Sequence, residues 1–135
     1  MANWSGSARS NYVRVKDRET FIDWAQSLPD VEVVEQECTF ALLATGDDGG
    51  WPSFRSRDDR EEQEGEAIDL AAEIANHLAP DEVCIFQEVG AEKLRYLSGS
   101  ALAVNSAGET LQISIDDIYA LVRERWNLSP SEAKY

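Results

Sequence analysis

The strongest constraint on the fold is the succession of strand-length runs between residues 82 and 113. Residues 82–88 (Glu-Val-Cys-Ile-Phe-Gln-Glu) and 96–104 are apolar runs of strand length, and 110–113 (Thr-Leu-Gln-Ile) is a third. Asn105-Ser106-Ala107-Gly108-Glu109 reads as a hairpin loop between the last two, so this half is a β-meander. The first half is punctuated in the same manner. Residues 12–16 alternate apolar and basic side chains, the pattern of a half-buried strand with a charged outer face. Residues 31–34 and 39–44 are two more strands, forming either a hairpin or one long bent strand.

Three stretches carry the helical period instead. Asp17 caps the first, which places Phe21, Trp24, Ala25 and Leu28 on one face and stops at Pro29-Asp30. The second spans about 66–78 and buries Ile68, Ala71, Ala72, Ala75 and Leu78, with acids in its first turn facing the positive end of the helix dipole. Ser114, with Asp117 three residues on, opens the third, which buries Ile118, Leu121 and Val122 and runs to about Trp126. Residues 45–50 are a Gly/Asp turn, and 51–65, without periodicity, a mobile loop. The expected fold is α+β: a mostly antiparallel sheet of five to six strands with three helices on one face, in the order β-α-β-β-α-β-β-β-α.

At 135 residues the chain is expected to form a single domain around one core, with flexible ends at 1–9 and 128–135. Forty-three per cent apolar residues and four tryptophans argue against global disorder. No run approaches the ~18 apolar residues of a membrane helix. The first residues lack the basic and apolar regions of an export signal, so a soluble protein of the bacterial cytoplasm is expected. Cys38 and Cys84, each inside an apolar run, read as two buried reduced thiols.

Residues that could carry catalysis are few. The single histidine, His77, lies late in the second helix beside Leu78, with no partner in view to orient it as a base. No nucleophile-elbow, phosphate-loop or dinucleotide-binding glycine pattern occurs. Two cysteines and one histidine cannot complete a four-ligand zinc site without carboxylates. Asp47-Asp48, Asp58-Asp59 and Asp116-Asp117 are adjacent acids in turns or at helix starts, where capping and solvation explain them. The calcium-loop pattern is absent. We therefore expect no catalytic residue, metal site or cofactor.

Charge is the informative feature. Twenty-six acidic residues against twelve basic ones leave a formal net charge of −14. Asp58, Asp59, Glu61, Glu62, Glu64, Glu66, Asp69 and Glu73 are opposed locally by Arg60 alone, and Asp30, Glu32, Glu35 and Glu37 flank a strand. Such a surface repels nucleic acid and is drawn to a basic groove on another protein. Carboxylates spaced like phosphates would block a nucleic-acid channel; the plain alternative is that the charge only maintains solubility. Trp4, in a polar stretch, and Trp51, after the Gly-rich turn, are aromatic anchors of the kind interfaces favour, although one of them is expected to fold back over the core.

Residues 8–17 (Ala-Arg-Ser-Asn-Tyr-Val-Arg-Val-Lys-Asp), 47–53 (Asp-Asp-Gly-Gly-Trp-Pro-Ser), 90–96 (Gly-Ala-Glu-Lys-Leu-Arg-Tyr) and 115–119 (Ile-Asp-Asp-Ile-Tyr) resemble small acidic proteins carried on plasmids and phages. The resemblance covers most of the chain and implies a context, mobile elements that encode inhibitors of host defence such as anti-CRISPR and anti-restriction proteins. With the charge, it implies a non-enzymatic inhibitor of a CRISPR effector or restriction complex. Asp47, Asp48, Trp51, Asp58, Asp59, Glu61, Glu62, Glu64 and Glu66 are the expected contacts. An immunity protein that neutralises a basic toxin nuclease is the alternative. A carboxylate enzyme with a bound metal is a third and weaker one.

Overall fold

The central strand of the sheet comes from the segment with the weakest strand signal. In the computed structural model, which describes residues 4–47, 49–52, 54–55, 66–93 and 95–133, β1 (Trp4–Ser10) pairs antiparallel with a neighbour on each side. A flexible end is expected as far as residue 9, but Trp4 through Ser10 are matched residue by residue to Glu92 through Phe86. The backbone supplies what the Ser/Gly-rich side chains do not.

The other strands of the main sheet are β2 (Val31–Gln36), β3 (Thr39–Ala44), β6 (Val83–Glu92), β7 (Tyr96–Asn105) and β8 (Thr110–Ser114). They form a six-stranded antiparallel sheet in the order β2-β3-β1-β6-β7-β8. A separate ladder joins β4 (Phe54–Arg55) to β5 (Glu66–Ala67), where the sequence shows only a loop and a helix start. With α1 (Arg18–Gln26), α2 (Leu70–Ala75) and α3 (Asp117–Trp126), the main elements follow the expected α+β order.

Residues 12–16 keep the expected alternation but not a strand. Val13 is buried and makes a single bridge to Phe40; Val15 is half-buried and bridges Leu78. The chain leaves the β1–β6 ladder at Asn11, whose side chain imitates a strand residue. Its Nδ2 donates to the Val83 carbonyl and its Oδ1 accepts the Ile85 N–H. Ser10 Oγ accepts the Leu42 N–H at 2.8 Å inside the core, tying β1 to β3.

One core fills the space between α1, α2 and one face of the sheet. Phe21, Ala25, Phe40, Leu42, Ile74, Leu78, Cys84, Phe86 and Val104 are buried there. The helical spacing in α1 holds, with Phe21, Ala25 and Leu28 buried and Trp24 half-buried. At the α1 N-cap, the Asp17 carboxylate accepts the Thr20 hydroxyl. α2 begins four residues later than expected because β5 takes Glu66 and Ala67, and because Asp69 caps the helix by accepting the Ala72 N–H. Ala72, expected inside, is exposed.

α3 departs most from expectation. It ends at Trp126 as read but begins at Asp117, because Ser114, expected to open it, is taken by β8; none of its residues is buried, with Ile118 54% exposed, Leu121 43% and Val122 half-buried. The last residues turn back on it, and Ala133 donates its N–H to the Tyr119 hydroxyl, where a frayed tail is expected. Among the described residues no helix is long and apolar enough to cross a membrane.

Candidate partner-binding surface

Of the residues expected to contact a partner, Asp48, Asp58, Asp59, Glu61, Glu62 and Glu64 lie outside the described residues. Glu66 stands in β5 opposite Arg55. Asp47 is exposed in the turn after β3.

That turn is pinned by glycine. Gly49 has φ +75°, and a Cβ there would fall 1.9 Å from the Gly6 carbonyl oxygen, so the loop lies directly on the backbone of β1. Trp51 follows and folds back over the core. Its indole meets Phe86 edge-on at 5.2 Å, and its backbone N–H donates to Glu88. Trp51 Nε1 is buried and has no hydrogen-bond partner among the described residues, so this side chain caps the core at the expense of one donor. Trp4 is a β1 residue.

The second acidic set is divided by the pleat. Within β2, Glu35 lies opposite Phe40, on the helix-covered face, where Arg18 of α1 meets it at 2.9 Å. The hydrogen bond from Arg18 holds the Glu35 carboxyl below its ordinary value. Glu32 lies opposite Leu43, on the other face. Alternation over three residues separates the two acids rather than placing them together. Asp30 and Glu37 sit in the turns at either end of β2 with φ of 55° and 48°.

His77 belongs to an aromatic cluster. Its ring stacks on Trp24 at 5.0 Å and meets the Phe21 edge at 6.0 Å, while Trp24 Nε1 donates to Glu73. Burial, then the charge of Lys16, lowers the His77 pKa, against a smaller opposing pull from Glu73. The cysteines are unalike. Cys84 is buried beside Ser10, and burial pushes its thiol up to about 12. Cys38, expected inside a strand, is exposed in the β2–β3 turn with φ 68°. Among the described residues no group of three or more His, Cys, Asp or Glu could hold a metal ion.

The surface that sequence reading misses is the sheet face opposite the helices. Cross-strand registers align Ile85 with Ala103 and Leu111, and Gln87 with Ala101 and Ile113. Gly99, with no side chain, admits Ile115 and Val89 from either side. A groove of about 390 Å³ runs over Val89, Ala101, Ile113 and Ile115. It meets, at Gln87 and Val89, a groove of about 510 Å³ between β1 and the Gly46–Gly49 turn, in which Arg9 is the charged lining residue. The signal was present in β6, where Val83-Cys84-Ile85-Phe86 is apolar at both parities and so apolar on both faces.

No protein-family model matches the chain, and no curated protein or solved structure matches it either.

Proposed function

We propose that this protein is an acidic inhibitor acting in the bacterial cytoplasm, where it binds a nucleic-acid-handling defence complex of the CRISPR or restriction type. In this reading its carboxylates occupy a basic channel in place of backbone phosphates. One observation carries the reading: 26 acidic residues against 12 basic ones, with half of the surplus, eight acids against Arg60, gathered at positions 58–73. The exposed acids Asp30, Glu32, Glu37 and Asp47 extend the same sign of charge along the β2 edge and the turns. A field of one sign speeds encounter with a basic surface and discourages direct contact with nucleic acid. The protein acts by occupancy and needs no cofactor.

The test is interference in living cells. Expressed in a strain whose CRISPR or restriction system destroys an incoming plasmid, the protein is expected to restore transformation. The quadruple charge reversal Asp58→Lys, Asp59→Lys, Glu61→Lys, Glu62→Lys is expected to abolish that rescue while circular dichroism shows the fold retained. Full rescue by the reversed variant would remove the acidic segment from the mechanism. Failure to protect against any system of either type would overturn the reading.

A further inference from the structure

The groove between β1 and the Gly46–Gly49 turn is shaped by backbone. β1 is matched to β6 along its whole length but to β3 at one pair, Arg9 with Leu43. Beyond that pair β3 ends at Ala44, and the chain turns back until Gly49 lies against the Gly6 carbonyl. The Thr45 N–H donates to the Asp30 carbonyl and that of Gly49 to Gly46, so the turn is held in place. Between strand and turn a space of about 510 Å³ is left, the size of a small-molecule site. Ala8 and Ser10 point into the core, so the alternate residues Ser7 and Arg9 stand on the opposite face and line this space.

Arg9 is an exception in so acidic a chain. No carboxylate lines its groove, although acids outnumber bases 26 to 12. Arg18 shows the contrary arrangement, bound to Glu35 at 2.9 Å. Arg9 makes two neutral contacts instead. Its Nε donates to the Ser10 carbonyl at 3.1 Å, and its guanidinium carbon stands 5.7 Å from the centre of the Tyr12 ring. These contacts orient the guanidinium and leave both Nη nitrogens without an acceptor among the described residues. An oriented guanidinium presents the fork of donors that a carboxylate accepts from in two parallel bonds. Beside it the wall is apolar, formed by Leu43, Ala44 and Val89.

We propose that this groove binds a small organic monocarboxylate, its carboxylate on the Arg9 fork and its apolar body along Leu43, Ala44 and Val89. Charge fixes the class of ligand. One unpaired guanidinium balances one negative charge, and the field of a chain carrying −14 opposes a polyanion such as nucleic acid or an oligophosphate. A cation would meet Arg9 with no carboxylate beside it, and a neutral molecule would leave the fork unused. The fork and the turn are already in place, so little ordering opposes binding. The site goes beyond the inhibitor reading and uses none of the acidic residues on which that reading rests.

Amide NMR of the full, isotope-labelled chain tests it, with sodium hexanoate as the probe and sodium chloride holding the ionic strength constant. The Gly6, Gly46 and Gly49 signals are expected to shift together along one saturating curve in the millimolar range or below. Hexanol, the same chain without the charge, and hexylammonium chloride should each bind the unaltered protein at least about tenfold more weakly. Arg9→Gln changes an exposed side chain, so the fold should be kept while hexanoate binding falls by about tenfold or more. Ser7→Phe keeps the arginine but fills the groove, and should weaken hexanoate to a similar degree. Absence of a saturating shift with hexanoate would overturn the proposal. So would equal binding of hexanol by the unaltered protein, undiminished binding by the Arg9→Gln variant, or saturating shifts centred on β8 rather than on the turn.

Discussion

Individual residues in this protein are constrained by their neighbours in ways that can be read out chemically. Cys38 is exposed and Cys84 is buried, with its thiol pushed up to about 12, so only the former is open to a reagent in the native protein. A thiol reagent at pH 8 is expected to titrate one cysteine rapidly in the native protein and the second only on unfolding; two fast thiols would contradict the burial of Cys84. Gly49 combines φ +75° with a backbone oxygen where a Cβ would go, so Gly49→Ala should destabilise by more than about 2 kcal/mol. Gly108 has φ +87° but open space around it. Gly108→Ala is expected to cost only about 1 kcal/mol, and urea midpoints of the two variants separate overlap from backbone strain. His77 imposes a pH dependence whose sign follows from its lowered pKa. The unfolded chain takes up the proton near the ordinary value of 6.5 and the folded chain only at lower pH. The stability His77 contributes is therefore present above pH 6.5 and lost as pH falls through the folded value. Lys16 and Glu73 face the ring, and the lowered carboxyls of Asp17 and Glu35 act only in a more acidic range, below about 4.5. His77→Gln should flatten the slope of unfolding free energy between pH 7 and 5, whatever it does to the level.

At the level of elements, the β2–β3 hairpin is held by an unfavourable turn. Gln36 pairs with Thr39, and the two residues between them, Glu37 and Cys38, have φ of 48° and 68°. Positive φ at both central positions belongs to the type I′ turn, which Asn-Gly fills without strain. Glu37→Asn with Cys38→Gly should stabilise the protein by about 1–2 kcal/mol, visible as a higher melting temperature; no change would mean that the turn relaxes by another route. The turn was not legible in the sequence, because Glu-Cys is not a turn dipeptide and long-range pairing with β3 imposes it. The core face of α1 was legible, since Phe21, Ala25 and Leu28 are one helical turn apart and need no distant information. The start of α2 was not. Glu66 and Ala67 are drawn into pairing with Phe54 and Arg55, and that partner is more than ten residues away.

For the whole molecule, the decisive property is the separation of charge from apolar surface. A net charge of −14 repels itself in the compact state, so added salt should raise stability between low and moderate ionic strength, monitored by the urea midpoint at pH 7. A midpoint independent of salt would mean that the carboxylates are too far apart, or too well solvated, to feel one another. From α1 onward the order of the main strands and helices, together with the helix-covered core and the acidic excess, was determined by the sequence alone, because each depends on local periodicity, local turn chemistry or simple counting. Tertiary structure decided the rest. It took the polar segment Trp4–Ser10 into the middle of the sheet, left α3 with no buried residue, and kept one face of β6, β7 and β8 bare. Strand pairing is a bond between distant backbones, and exposure depends on what lies opposite; neither quantity is carried by the residues of one segment.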